Sequence, residues 1–402
     1  MIVAVIGGGA SGMAAALAAG ENPGTQVVLL ERQARLGRKL LATGNGRCNL
    51  SNIHALPGAY HGEDTEFADA AIRTFSAADA LSWFKSLGLH TVTEESGKVY
   101  PYSDQANSVV DVLRFALEKP NIRVVTGFEV TKIKKTDEGF TVGNGEESIS
   151  CNRLIIACGG LAGTKLGGSM AGHKLLGKLG HSCTRLRPAL VQLKTDWAGI
   201  SALKGVRANC HARILCDGDL FAHSSGEIQF TEYGVSGPVI FEISRDVCSK
   251  KGNWACVLDL LPHVTREELA AELKARPQSL PVEELLTGIL HNRLGRVIVR
   301  AAGIRSGTVS DLHSSKIAEV CRLVKEFEIP LTEPMGMDCA QVTAGGVHTD
   351  GFDPHTMESK LVPGLYACGE VLDVDGDCGG YNLQWAWSSG RIAGLHAGKD
   401  SK

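Results

Sequence analysis

The sequence predicts an α/β fold class: a parallel sheet assembled from both ends of the chain, interrupted by an antiparallel β insertion that carries a helical subdomain. Three observations predict it. The first is a glycine turn, Gly7-Gly8-Gly9-Ala10-Ser11-Gly12, between the apolar run Ile2–Ile6 and an alanine-rich stretch. The second is a change to alternating apolar and polar segments between about 190 and 340. The third is a short apolar strand at 364–367, followed by a glycine loop and a final helix, which returns the chain to its opening pattern.

Residues 1–31 read β-α-β. The turn has the spacing Gly7-x-Gly9-x-x-Gly12, and Glu31 closes a second apolar run, Val27–Leu30. Strand, glycine turn, helix, strand and acid at these intervals form the dinucleotide-binding fingerprint. Gly7 permits the tight turn, Gly9 lets backbone approach a pyrophosphate, and Gly12 lets the helix pack on the strand. The helix start, at Ser11, offers N–H groups and the positive dipole end to phosphates. The Glu31 carboxylate can accept hydrogen bonds from ribose hydroxyls.

A glycine-rich loop, Gly37 to Asn52, comes next. Helical patterns are expected near 66–73, 76–87 and 105–118, and Ile122–Val125 reads as a third parallel strand. Residues 128–150 read as a meander, and Leu154–Ala157 as a buried strand ending at Cys158-Gly159-Gly160. Alternating segments at 191–195, 205–215, 219–230 and 254–260 predict an antiparallel barrel or sandwich, interrupted by a helical stretch at about 262–305 with Leu269, Leu273, Leu285, Leu286, Ile289 and Leu290 as its apolar residues. The expected domains are therefore 1–190 and 341–402 for the nucleotide fold and 191–340 for the insertion. At the end, Gly364–Glu370 is a strand closing in Gly-Glu, and Asn382-Leu383-Gln384 opens a helix running to about His396.

The chain has 402 residues, 44% hydrophobic and 21% charged, with a net charge of −3, which gives no global attraction to nucleic acid or anionic membrane. The first 20 residues carry no charged side chain, but they lack a basic n-region and their glycine spacing belongs to the nucleotide turn, so neither signal peptide nor membrane span is expected. The 12 cysteines form no Cys-x-x-Cys pair and no zinc-like Cys/His spacing. No metal is expected, and reduced thiols in the cytoplasm are.

Several segments resemble one family. They are Gly7–Gly12 with Glu31, Thr43-Gly-Asn-Gly-Arg-Cys-Asn-Leu-Ser-Asn52, Gly97–Ser103, Phe230-Thr-Glu-Tyr-Gly-Val-Ser-Gly-Pro238, Val342-Thr-Ala-Gly-Gly-Val347 and Gly364–Gly390. Together they make the whole chain similar to the BaiN/YhiN-type FAD-dependent oxidoreductases, relatives of the glutathione-reductase-like flavoproteins. One departure is Glu232, where many relatives have His. The resemblance implies a three-layer ββα, FAD-binding Rossmann-like domain, with FAD as the dinucleotide. It implies that Glu370 binds the ribityl chain, that the Asn382 and Leu383 backbone faces the flavin pyrimidine edge, and that Val130 meets adenine. Gly159 and Gly369, at the ends of two strands, join this cofactor set.

In the loop after Glu31, Arg38, Lys39 and Arg47 are candidates to neutralise the pyrophosphate or an anionic substrate. Cys48 has no cysteine partner within ten residues, which leaves a flavin–dithiol mechanism unsupported and favours packing or a flavin-wall position. Cys378, Tyr381 and His348 are the catalytic candidates, each able to supply a proton opposite a hydride. No second Gly-x-Gly-x-x-Gly appears, so NAD(P)H is expected to dock only transiently.

The expected function is an NAD(P)H-dependent reductase delivering hydride from the flavin to an activated C=C of a small molecule, of the bile-acid-enone kind known in the family. Two alternatives come with the resemblance. One is dihydrouridine formation in ribosomal RNA, for which Lys132, Lys134 and Lys135, and Lys165, Lys174, Lys178, Arg185 and Arg187, are basic clusters; an aromatic content of 5% leaves few stacking platforms. The other is an aminoacetone-type amine oxidase using oxygen.

Overall fold

The computed structural model describes residues 1–399, except the side chain of Asp246. The chain divides into two compact units, residues 1–187 with 341–402, and residues 188–340.

The first unit is built on a five-stranded parallel sheet. Its order is Leu365–Ala367, Arg153–Ile156, Ile2–Ile6, Gln26–Glu31 and Ile122–Thr126. Ile2–Ile6 lies centrally, with early strands on one side and late strands on the other. The order therefore reverses between Ile2–Ile6 and Arg153–Ile156, and the crevice at the carboxyl ends of strands at such a reversal is where α/β sheets bind ligands. Val3, Ala4, Val5, Leu29, Leu154, Ile155 and Ile156 are buried, as continuous apolar runs in a covered parallel sheet must be.

Helix Ala10–Ala19 is buried along nearly its whole length. The uncharged opening of the chain is thus an internal helix, and no helix among the described residues is long and apolar enough to cross a membrane. The last helix, Tyr381–Ala397, packs on it through small residues. A Cβ at Gly390 would lie 2.4 Å from the Ser11 carbonyl oxygen, and one at Gly394 2.2 Å from that of Ala15. Repeats of small residues four apart bring the two backbones into direct contact.

The helices expected between 66 and 118 are present at Thr65–Thr74, Ala77–Ser86 and Ala106–Ala116. The meander begins later than expected. Its strands are Lys132–Thr136, Gly139–Gly143 and Ser148–Cys151. Residues 127 and 128 instead extend the parallel region, because the Gly127 and Phe128 N–H groups donate to the carbonyls of Gln33 and Glu31.

The second unit is a six-stranded antiparallel sheet in the order Leu193–Lys194, Gly234–Ser236, Asp219–Phe230, Arg207–Cys216, Trp254–Asp259, Phe327–Leu331. Its ends meet: the Lys194 N–H donates to the Glu333 carbonyl at 2.9 Å, and the Thr332 N–H to the Lys194 carbonyl at 2.9 Å. The sheet is consequently barrel-like. The helical stretch is not continuous. It splits into Arg266–Lys274 and Asn292–Ala301, with a 3-10 turn at Val282–Glu284, because Pro277 and Pro281 break the run. Two further helices, Pro238–Val247 and Ser314–Lys325, had no sequence expectation.

Candidate flavin site

The site grows from the carboxyl ends of the two central strands. Gly7 has φ of +111°, and a Cβ there would lie 2.3 Å from the Ala157 carbonyl oxygen. A Cβ at Gly12 would lie 1.8 Å from the Gly7 oxygen, so the helix can start here only with glycine. Gly9 differs. Nothing lies within 4 Å of its Cβ position, and it caps helix Ala10–Ala19 without a side-chain bond. The backbone at Gly9 is thus open to an approaching group, beside first-turn N–H groups that have no intrahelical partner, as an anion cradle requires. Gly159, at the end of the neighbouring strand, has φ of +70° and is equally open.

Glu31 is fixed by backbone. Its Oε2 accepts the Gly8 N–H at 2.6 Å and its Oε1 the Gln33 N–H at 2.7 Å. Val130 is buried, in the segment that continues from the Glu31 carbonyl. Arg38 is exposed and donates to the Gln33 side chain at 2.9 Å.

Lys39 and Glu370 meet. The Lys39 Nζ lies 2.7 Å from the Glu370 Oε2, with the two side chains 32% and 20% exposed. The other carboxylate oxygen, Oε1, accepts both the N–H and the hydroxyl of Thr343, each at 2.9 Å. Gly369 has φ of +76°, donates its N–H to the Ser389 hydroxyl at 3.0 Å, and packs against Ser11, whose hydroxyl bonds the Cys368 thiol. The buried His173 stands near Glu370. Both its ring nitrogens are buried without a hydrogen-bond partner, and burial lowers its pKa against the opposing pull of Glu370.

The turn that opens the last helix completes the cluster. Gly379 and Gly380 have φ of +111° and +105°, and Gly380 caps the helix with no side-chain bond. A Cβ at Gly380 would lie 2.3 Å from the Ser51 carbonyl oxygen. The Asn382 side chain grips the preceding loop, accepting the Gly376 N–H at 2.8 Å and donating to the Gly376 carbonyl at 2.7 Å. That leaves the backbone of Asn382 and Leu383 as the exposed end of the dipole. Cys378 and Tyr381 flank the same turn, and Tyr381 packs edge-on to Tyr60 with ring centroids 6.4 Å apart.

Two candidates have side-chain partners of their own. The Arg47 guanidinium lies 3.9 Å over the Tyr100 ring and bonds Asp104 at 2.5 Å and Glu94 at 3.0 Å. The His348 Nδ1 lies 3.1 Å from the Glu63 carboxylate. Cys48 is fully buried, and burial pushes its thiol up to about 12. Cys158 and Cys368 are held at about 12 for the same reason. Sequence reasoning named Lys39 and Glu370 separately, and it missed Thr343, although Val342–Val347 was among the segments carrying the family resemblance.

A family profile described as "HI0933-like protein Rossmann domain" matches residues 1–396. The chain belongs to that family. The HI0933-like proteins are FAD-binding Rossmann flavoproteins, and this one is an FAD-dependent oxidoreductase. It is 38% identical over 403 residues, 98% of either chain, to a 3-dehydro-bile acid delta(4,6)-reductase of Clostridium scindens. It is 30% identical over 387 residues, 96% of this chain and 95% of the relative, to a ribosomal RNA dihydrouridine synthase of Escherichia coli. Among solved structures, the open conformation of a flavocytochrome c3 fumarate reductase is similar over 98% of this chain and 78% of that one, with 18% identity and a TM-score of 0.49.

The residues of this HI0933-like protein fit a dinucleotide that carries a flavin. The open cradle at Gly9, the paired acid Glu370 and the uncapped start of the last helix lie in one unit, contributed by both chain ends.

Proposed function

We propose that the protein is an FAD-dependent reductase that takes electrons from NAD(P)H and reduces an activated C=C of a small apolar enone, of the steroid class. The observation that carries this is the 38% identity, over 98% of both chains, to a bile-acid reductase, against 30% to the ribosomal RNA enzyme. FAD, when bound, supplies the hydride chemistry.

The chain's own residues bind and orient. The N–H groups after Gly9 and the backbone of Gly159 would receive the pyrophosphate, Glu31 the adenosine ribose, and Val130 the adenine. Glu370 would bond the ribityl hydroxyls. The N–H groups at Asn382 and Leu383 would place partial positive charge beside the pyrimidine edge, where negative charge accumulates on reduction. Lys39 neutralises Glu370, whereas Arg38 stays at the surface and Arg47 braces its own loop through Glu94 and Asp104. Cys48 serves as packing.

The substrate carbon that does not receive the hydride needs a proton. Cys378 and Tyr381 adjoin the helix turn, and we place the donor at the Cys378 Sγ or the Tyr381 hydroxyl rather than at His348, whose ring is turned to Glu63. No thiol pair is required, and the thiols of Cys48 and Cys158, with pKa values raised by desolvation, are poor nucleophiles.

A second reading is reduction of a uridine C=C in ribosomal RNA. Lys165, Lys174 and Arg185 favour it: all three are exposed, as a phosphate-binding face requires. The deciding experiment is anaerobic addition of NADH or NADPH to the FAD-loaded protein, followed by a 3-oxo-4-ene steroid or ribosomal RNA. Flavin bleaching by a nicotinamide and reoxidation by the steroid is the expected result. Reoxidation by RNA alone supports the second reading. No bleaching, in protein that dithionite does reduce, overturns the NAD(P)H-reductase proposal in favour of a substrate-reduced oxidase.

A further inference from the structure

We infer that Thr343 is a positioning residue for the cofactor acid, and that Thr343, Glu370 and Lys39 act as one clasp setting affinity for the flavin half of the dinucleotide. The inference rests on the assignment of FAD to this site and adds Thr343, to which no role has been given.

The geometry is specific. A carboxylate rotating about its last bond presents its oxygens in many directions. Here each oxygen is tied. Oε1 accepts two bonds from a single residue, the Thr343 N–H and hydroxyl at 2.9 Å each, and Oε2 accepts the Lys39 ammonium at 2.7 Å. Two donors from one residue and one from the opposite side fix the carboxylate plane, leaving the remaining lone pair, on Oε2, to face one way. Thr343 is itself held, because its hydroxyl oxygen accepts the Ala162 N–H at 2.9 Å. That hydroxyl is thus donor to Glu370 and acceptor from the loop after Gly159-Gly160, a pairing that valine cannot supply and serine can. The space is tight: a Cβ at Gly160 would lie 2.4 Å from the Thr343 hydroxyl and 2.6 Å from the Glu370 Oε1.

Charge supports the same reading. Glu370 is a partly buried anion, and ribityl oxygens arriving nearby would bring further lone pairs. His173 feels the Glu370 charge, but its buried nitrogens have no partner and burial favours its neutral form. The cation that balances Glu370 is therefore Lys39. Its removal leaves the Glu370 Oε2 untied, so the carboxylate can turn away from the ribityl chain, which weakens the flavin half of the ligand.

The test compares FAD with ADP, which lacks ribityl and flavin, on the full-length apoprotein, following quenching of flavin fluorescence for FAD and calorimetry for ADP. Thr343→Val is expected to weaken FAD about tenfold while ADP binds within twofold of the parent, and Thr343→Ser to restore FAD affinity. Lys39→Met, at a part-exposed position and so tolerated by the fold, is expected to show the same selective loss, and serves if Thr343→Val does not fold. Equal loss of FAD and ADP affinity would mean general disturbance and overturn the clasp. FAD affinity unchanged in both variants would overturn it too, leaving the FAD assignment intact. A parent protein that binds no FAD would overturn the assignment and the clasp together.

Discussion

Gly390 of the last helix lies directly against the backbone of Ser11 in the first, where a Cβ would come within 2.4 Å of the Ser11 carbonyl oxygen. Gly394 stands in the same relation to Ala15 one turn later. This contact sets the height of the last helix, and with it the place of the Gly379–Gly380 turn relative to the Gly7–Gly12 loop. Gly390→Val should therefore push the helices apart. Overpacking of this kind costs about 1–3 kcal/mol. A melting temperature lowered by several degrees, with weaker FAD retention, is the expected outcome, and an unchanged melting curve would refute the contact.

Gly9 and Gly12 separate cofactor binding from folding. Gly12→Ala meets the Gly7 carbonyl and should destabilise the protein with or without FAD. Gly9→Val puts its Cβ in open space, so the apoprotein should lose only the N-cap preference, about 1 kcal/mol or a few degrees of melting temperature. It should nevertheless bind FAD at least tenfold more weakly. Denaturation scans with and without FAD measure both effects.

Three thiols, Cys48 and Cys368 in the core and the half-buried Cys158, should be chemically silent. With Cys48, Cys158 and Cys368 at about 12, less than one thiol in a thousand is ionised at pH 8. Iodoacetamide at that pH should label the exposed Cys183 and Cys339 and spare those three, as peptide mass spectrometry would read. Cys48→Ala should leave the rate of flavin reduction within twofold of the parent.

Asp373 carries a pH signature. Burial raises its pKa above the ordinary 3.8, with Glu63 and Asp375 adding to the rise and His348 and the Glu63 N–H opposing it. The folded protein thus holds this proton more tightly than the unfolded chain does. Its ionised form destabilises the fold above the raised pKa, and that cost disappears as pH falls toward 3.8. Asp373→Asn keeps an acceptor for the Glu63 N–H, so it should raise the melting temperature at pH 7 and lose that advantage near pH 4.

Cys378 and Tyr381 can be told apart by separating the half-reactions. Under the proposed function, replacing the true proton donor, by Cys378→Ala or Tyr381→Phe, should slow reoxidation by the enone at least a hundredfold. Flavin reduction by nicotinamide should change less than threefold. Stopped-flow absorbance follows each step, and His348→Gln should alter neither.

The parallel sheet was readable because buried strands are written as unbroken apolar runs and the nucleotide turn as glycines at fixed spacing. The helix at Ser314–Lys325 was not, because His313 at its start makes no side-chain cap and no acidic residue marks its first turn. Pro277 and Pro281 carry the break in the stretch at about 262–305, which the expected helical run did not include. Within the site, Lys39 and Glu370 were each visible as charged residues in glycine-rich loops. Their pairing was not, because 331 residues separate them and no local pattern records a contact at that range. Thr343 lacks any charge or glycine signal of its own. Only its place against Glu370 gives it meaning.

The parallel sheet also orders events in time. A ribosome releases Gly7–Gly12 first, and releases Thr343, Glu370 and the final helix only after more than 340 residues have been made. Until then the edge of strand Arg153–Ile156 that Leu365–Ala367 will occupy stays uncovered, and helix Ala10–Ala19 lacks the neighbour that shields it. The two halves of the proposed cofactor site thus meet only late in synthesis, and a nascent chain stalled before residue 364 would present apolar surface to chaperones.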